Sequence, residues 1–291
     1  MVVTRVLVLG SSGRIGRMLR TAWAQYTDQN RDIKFVFQTR FEERNKPDDI
    51  KWDILRELPR AIEDLAPFDC MIVLSGITPN IGADFTLNTT IGTACMAAAE
   101  RLGCPHVLLT STSAVYGTYS DDPFAESDTL NPVNDYGCSK RDMEVACHSL
   151  ASLSGVRLCC LRVGNVAGAD ALLLNGAALA PDEKLRLDRF EDGGTPVRSY
   201  IGPESLAQVI LSLVRTRRLL PAALNIATPV AITMRSLAEA AQLPFDLHTA
   251  KGRGHQYVTL DCRALAAFYK FGSGEVQPSE MVRQWRRLNR R

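Results

Sequence analysis

A chain of 291 residues that is 46% hydrophobic can bury a large core, and a formal net charge of only +2 is too small for the electrostatic footprint of a nucleic-acid binder. No 18-residue apolar run is present to span a bilayer, and the N-terminal residues read as a strand rather than a signal peptide. The eight Cys (70, 95, 104, 138, 147, 159, 160, 262) lack CxxC spacing and read as reduced, mostly buried thiols, which implies the cytoplasm; the four His (106, 148, 248, 255) form no ligand-spaced cluster with them, so no metal is expected.

The chain opens with an apolar run, Val2 to Leu9, followed directly by Gly10-Ser11-Ser12-Gly13-Arg14-Ile15-Gly16. Ile15, Met18, Leu19, Ala22, Trp23 and Tyr26 then recur at helical spacing, so the run reads as buried strand, glycine turn and amphipathic helix. In that setting glycines let the backbone approach a pyrophosphate, whose charge meets the N–H groups and positive dipole end of the helix. Further strands are expected at Ile33–Phe37, Cys70–Leu74, Val107–Thr110 and Arg157–Arg162, with helices such as Thr89–Arg101 and Ser139–Leu153 between them. This alternation predicts an α/β fold, a Rossmann-type doubly wound parallel sheet. Ligands then sit beyond the carboxyl ends of the strands, at Gly10–Gly16, Gln38-Thr39-Arg40, Ser75-Gly76, Ser111-Thr112-Ser113 and Val163-Gly164-Asn165.

Tyr136 and Lys140 are four residues apart on a helix and so share a face. An ammonium near a phenol, whose ordinary pKa is about 10, stabilises the phenolate and suits the pair to moving a proton. After Asn165 the composition loosens. The Ala/Leu-rich stretch 166–180 and the polar loop Phe190–Arg198 suggest a smaller interleaved C-terminal substrate lobe, residues 166–291, beside a nucleotide-binding domain of residues 1–165 to which segments near 199–228 return. Five Arg near the C-terminus (283, 286, 287, 290, 291), with Met281, Trp285 and Leu288 as an apolar stripe, read as a solvated helix; an anionic-partner site is the competing reading.

With these residues in place the chain resembles the extended short-chain dehydrogenase/reductase family, the NAD(P)-dependent nucleotide-sugar epimerases, dehydratases and ketoreductases. The matching segments are 10–16, Trp52-Asp53-Ile54, 69–76, Asn88 at a helix start, 108–117 (Leu-Leu-Thr-Ser-Thr-Ser-Ala-Val-Tyr-Gly), 136–140 (Tyr-Gly-Cys-Ser-Lys), 161–168, 198–201 and 224–227. The resemblance implies that Thr112 holds the reacting oxygen, that Tyr136 is the proton donor or base, and that Lys140 holds the ribose and lowers the tyrosine pKa. It further implies cofactor contacts from Gly10, Ser12, Gly13, Arg14, Ile15, Gly16, Arg40, Asp53, Ile54, Ser75, Gly76, Thr110, Tyr136, Lys140 and Val163. Substrate contacts would come from Thr112, Ser113, Tyr136, Asn165 and Arg198. Competing structural roles are a strand-end cap for Thr112, a helix cap for Asp53 and an ion-pair partner for Arg198.

Departures from the family pattern narrow the expectation. The acid pair that dehydratases carry after the threonine is Ser113 and Ala114 here, Gly202-Pro203-Glu204 replaces a segment with paired aspartates, and Ala167 replaces an aromatic. The second strand ends in Phe37-Gln38-Thr39-Arg40, with no acid for an adenosine ribose 2′-OH and with a cation suited to a 2′-phosphate, so NADP is favoured and NAD remains open; a pairing of Arg40 with Glu42 or Glu43 is the alternative. The expected function is an oxidoreductase or epimerase of a nucleotide-linked sugar, acting as a homodimer on a small-molecule substrate, with no nucleic acid or membrane partner. The alternatives are a reductase of a non-sugar carbonyl compound and a non-catalytic NADP-sensing protein.

Overall fold

The computed structural model describes residues 3–25, 31–41, 49–118, 122–250 and 255–289. Strand β1 (Thr4–Leu9) is buried from Val6 to Leu9, as its Val/Leu run requires of a strand covered on both faces. Helix α1 (Arg14–Gln25) buries Met18, Leu19, Ala22 and Trp23, and Trp23 stacks on Phe35 of β2 (Ile33–Thr39) with ring centroids 4.6 Å apart. There follow β3 (Ile50–Lys51), α2 (Arg60–Glu63), β4 (Cys70–Val73), α3 (Leu87–Arg101), β5 (His106–Thr112), α4 (Asp135–Ser154) and β6 (Arg157–Val163).

The remaining elements are shorter: β7 (Asn165–Val166), α5 (Ala171–Ala177), β8 (Leu185–Arg189), β9 (Val197–Arg198), β10 (Tyr200–Ile201), α6 (Pro203–Arg215), β11 (Ala223–Ile226), β12 (Ile232–Thr233), α7 (Met234–Ala240), β13 (Phe245–Thr249), β14 (Tyr257–Val258) and α8 (Pro278–Leu288). The central sheet is seven-stranded and parallel, in the order β3-β2-β1-β4-β5-β6-β11. It is the doubly wound arrangement expected from the sequence, and strand order reverses between β1 and β4. That switch point is where Gly10 and Ser75 meet.

The chain forms two compact units. The first comprises Met1–Gly117, Leu130–Arg162 and Arg218–Ala223, and its core packs Leu7, Leu9, Met71, Val73 and Leu109 with Cys95, Met143 and Cys147 from α3 and α4. The second comprises Thr118–Thr129, Val163–Arg217 and Leu224–Arg291, around Leu172, Leu173, Tyr200, Leu237, Met281 and Val282. This division differs in detail from the expected boundary at 165 with a return at 199–228. Residues 118–129 leave the first unit because Phe124 pairs its backbone with Thr259 and Asp261 and accepts a bond from the Asn225 amide, all in the second. Within 199–228, β10 pairs in parallel with β7 inside the second unit, whereas β11 returns to the central sheet as an edge strand.

Candidate functional site

The glycine turn is shaped by close approach. Gly10 has φ +82°, and a Cβ there would lie 2.6 Å from the Ser75 amide; one on Gly16 would lie 2.4 Å from the Gly10 carbonyl oxygen. Bare backbone therefore faces the crevice between β1 and β4, and the first turn of α1 directs its N–H groups toward it. Around it lies a cavity of about 430 Å³ whose walls include Gly10, Ser12, Gly13, Arg40, Asp53, Ile54, Ser75 and Gly76. The size falls within the usual range for small-molecule sites, and the cradle of small residues over a helix start fits a dinucleotide pyrophosphate.

Eight of the cofactor residues expected from the sequence thus line one cavity. Arg14, Ile15 and Gly16 belong to the helix start behind it, and Val163 is buried at the end of β6. Asp53 caps no helix, the N-cap of α2 being Pro59; its carboxylate accepts from the Leu55 amide at 3.2 Å in the turn after β3, and it lines the cavity. Two wall residues have roles that pattern alone did not assign. Gln38 is buried, accepts from the Gly10 amide at 2.8 Å and donates to the Trp52 carbonyl, tying the end of β2 to the glycine turn. Arg17 lies four residues after Gly13, one helical turn on, and that spacing is the signal by which it could have been found.

The proton-relay candidates come from β5 and α4. The helix starts at Asp135, four residues earlier than the sequence suggested, because the Asn134 side chain accepts from the Gly137 amide at 2.8 Å and caps it. Tyr136 therefore sits in the first turn. The Thr112 side chain acts on its phenol as a hydrogen-bonding neighbour, accepts from the Ala114 amide at 3.2 Å and caps the short 3₁₀ turn Ser113–Val115. Thr112 is at once a strand-end cap and the tyrosine's partner. The Lys140 ammonium is buried and donates to the Thr110 carbonyl at 2.7 Å. A Cβ placed on Gly76 would lie 3.5 Å from Lys140 Nζ and 3.1 Å from Asn88 Oδ1, so the relay adjoins the cavity wall.

The expected lowering of the tyrosine pKa by Lys140 is corrected. Burial raises the Tyr136 phenol above its ordinary value, with the Thr112 hydrogen bond acting against the rise. Lys140 is itself lowered to about 8, chiefly by desolvation. Its ammonium is directed at a backbone carbonyl rather than at the phenol.

In the second unit, Asn165 begins β7, which pairs in parallel with β10, and the Tyr200 hydroxyl of β10 donates to Asp170 at 3.3 Å. Arg198 donates to the carbonyls of Val197 (2.7 Å), Gln256 (2.8 Å) and His255 (3.1 Å), and desolvation lowers its pKa. Among the described residues no carboxylate pairs with it, which removes the ion-pair reading. Glu204, by contrast, is buried in a pair with Arg287 and helps to hold α6 to α8. The terminal arginines do not form a free basic patch: Arg283 pairs with Glu280, Arg286 donates to the Ala241 carbonyl at 2.7 Å and Arg287 pairs with Glu204, while Arg290 and Arg291, like Tyr26, Glu42 and Glu43, lie outside the described residues. No group of three His, Cys, Asp or Glu among the described residues is arranged to hold a metal ion.

Comparison with known proteins agrees with this geometry. A UDP-glucose 4-epimerase of Azospirillum brasilense is 31% identical over 150 residues, covering 45% of this chain and 43% of that protein, so the matched part is less than half of that relative's length. A UDP-glucose 4-epimerase of Rhizobium meliloti (strain 1021) is 31% identical over 234 residues, 71% of this chain and 70% of the relative. The solved structure of MoeE5 in complex with UDP-glucuronic acid and NAD has the same fold, with a TM-score of 0.77 at 20% identity over 97% of this chain and 99% of that one. The model of the NAD dependent epimerase/dehydratase family matches residues 6–227, and the chain belongs to that family.

Proposed function

We propose that the protein epimerises or oxidises and reduces a nucleotide-linked sugar, with hydride passing between nicotinamide and a sugar carbon while Tyr136 moves the matching proton. The observation that carries this reading is the meeting of Thr112, Tyr136 and the buried Lys140 beside Gly76 of the glycine-lined cavity. When bound, NAD(P) supplies the hydride acceptor and donor. Gly10, Gly13, Ser75 and Gly76 would hold it, and Asp53 and Ile54 would flank its adenine. Thr112 aligns the reacting hydroxyl, Tyr136 takes or returns its proton, and Lys140 fixes the ribose.

For the sugar nucleotide the support is Arg198 and the relatives. Its cation is desolvated and among the described residues donates only to carbonyls, which suits the diphosphate of a UDP-sugar, and Asn165 would bind the same ligand. Ser113 and Ala114 put no acid after Thr112, which favours epimerisation or net redox over loss of water. NADP is preferred over NAD on the strength of Arg40 at the cavity wall. A homodimer through α3 and α4 agrees with the exposure of Val145 and Leu153 on α4, and light scattering at micromolar concentration would report it. The absence of disulfides among the described residues agrees with a cytoplasmic protein, and no described helix is long and apolar enough to cross a membrane.

The test presents UDP-glucose with NAD or NADP and follows appearance of its C4 epimer or of reduced cofactor. Tyr136→Phe should lower the rate by about 10²–10⁴ while leaving cofactor affinity nearly unchanged. Undiminished kcat in that variant would sink the mechanism, and no turnover of any nucleotide sugar would sink the substrate class.

A further inference from the structure

Behind Lys140 the fold buries a second set of charges that the proton relay does not use. Glu144 lies one turn farther along α4, and Arg162 of β6 faces it: Nη2 is 2.9 Å from Glu144 Oε2, and Nε is 3.3 and 3.2 Å from the two carboxylate oxygens. Arg162 Nη1 also donates to the Tyr116 hydroxyl at 2.9 Å. Lys140 and Glu144 occupy one helical face four residues apart, and Lys140, Glu144 and Arg162 are all buried. Two cations and one carboxylate are thus enclosed together.

The groups that surround Lys140 come from four elements. Cys95 approaches from α3, Cys160 from β6, the Thr110 carbonyl from β5, and Met143, Cys147 and Glu144 from α4 itself, with Tyr136 one turn back. His148, one turn beyond Glu144, has Nε2 3.5 Å from Cys160 Sγ, and burial lowers its pKa, which favours the neutral ring. The thiols bring no charge at neutral pH: burial pushes Cys147 up to about 12 and raises Cys95 and Cys160 well above the ordinary range. Arg162 adds a cation rather than an anion. Among the described residues acting on Lys140, Glu144 is therefore the one carboxyl group.

We propose that Glu144 is a positioning residue for catalysis: the carboxylate it shares with Arg162 keeps the Lys140 side chain an ammonium inside the core and aimed at the Thr110 carbonyl. This rests on the reading of Lys140 as part of the proton relay. The rival account is that Glu144 and Arg162 only clamp α4 to β6. Desolvation drives Lys140 toward its neutral amine, and a nearby opposite charge is what resists it. A clamp would move the melting temperature alone, whereas a positioning residue also moves the pH at which Lys140 gives up its proton.

The experiment uses the full chain with 13Cε-labelled lysine, the Lys140 resonance being assigned by its loss in Lys140→Met. Without cofactor, that resonance should titrate near pH 8 in the wild type and about one pH unit lower in Glu144→Gln. The alkaline fall in kcat should move down with it. If the single variant does not fold, Glu144→Asp, which keeps the pair's charge but draws the carboxylate back by one methylene, carries the test with a smaller downward shift. An unmoved midpoint and an unmoved alkaline limb in a folded variant, whatever the loss in melting temperature, would leave only the clamp. If Lys140→Met itself keeps full turnover, the proton relay fails; if it loses turnover while the Glu144 variants titrate like the wild type, only the inference fails.

Discussion

Arg40 is exposed at the rim of the cavity, and two residues earlier Gln38 has both ends of its amide engaged by backbone. In a chain that selects NAD, a carboxylate near this strand end binds the adenosine ribose; a glutamine tied to Gly10 and Trp52 is spent on holding the turn. Arg40→Ala should therefore weaken NADPH by the loss of a charge-assisted contact, about 1.5–3 kcal/mol or roughly ten- to a hundredfold, and barely touch NADH. Arg17 lines the same cavity and Arg14 does not, so Arg40→Ala/Arg17→Ala should deepen the loss. Fluorescence titration decides it: equal losses for the two cofactors, or a wild type that prefers NADH, would show that neither arginine reads a phosphate. At this scale the sequence showed residue types well and their commitments poorly. Tyr136, Lys140 and Gly16 are legible because helical spacing and the clearance of Gly16 from the Gly10 carbonyl depend on near neighbours. The bonds of Gln38 and the partner of Glu144 are not, because each is made to another element, 14 to 28 positions away.

Helix α7 ends in a Schellman turn that lacks its usual glycine. The Leu243 amide bonds to the Ala238 carbonyl (3.0 Å) and the Gln242 amide to that of Glu239 (2.9 Å), which leaves Gln242 in the left-handed region at φ 55°. Gln242→Gly should relieve that strain and stabilise the chain by about 0.5–1 kcal/mol after the entropy a glycine adds to the unfolded state. Chemical denaturation would show it as a higher midpoint at unchanged slope, and a lower midpoint would mean that the glutamine side chain contributes more than its backbone costs. Elements were legible where they are long and regular. Strands β1, β2, β4, β5 and β6 and helices α1, α3 and α4 follow from buried runs and helical spacing, with ends misjudged where a cap decides them, as Asn134 does for α4. Strands of two residues, such as β7, β9, β10, β12 and β14, carry no periodicity. They exist because the surrounding chain lays them side by side.

The whole molecule has a chemical signature in its thiols. Burial raises the pKa of Cys70, Cys95, Cys104, Cys147, Cys160 and Cys262, with Cys104, Cys147 and Cys262 at about 12. In the unfolded chain a thiol ionises near 8.5, so above that pH the native state binds more protons than the unfolded one, and stability is lost as pH rises. Each such thiol contributes a slope of about 1.4 kcal/mol per pH unit. Lys140 acts in the opposite sense, since its native value near 8 lies below the ordinary one and its contribution grows between those two pH values. One lysine against six thiols leaves a net loss. Calorimetry in reducing buffer should show a melting temperature that falls steeply above pH 9, and a flat profile to pH 10 would mean that these thiols ionise in the folded protein.

Helix α8 shuts a structure begun some eighty residues earlier. Gln284 Oε1 accepts from the Glu204 and Ser205 amides at 3.1 Å, and Arg287 Nε reaches the Glu204 carboxylate at 2.8 Å. During synthesis the first turn of α6 therefore waits with open donors and an unpartnered buried acid until residue 287 has left the ribosome, whereas β1 to β6 are complete by residue 163. Translation thus finishes the walls of the glycine-lined cavity while the second unit is still without its closing helix, and a nascent chain stalled before α8 should be cut by protease in the second unit and spared in the first.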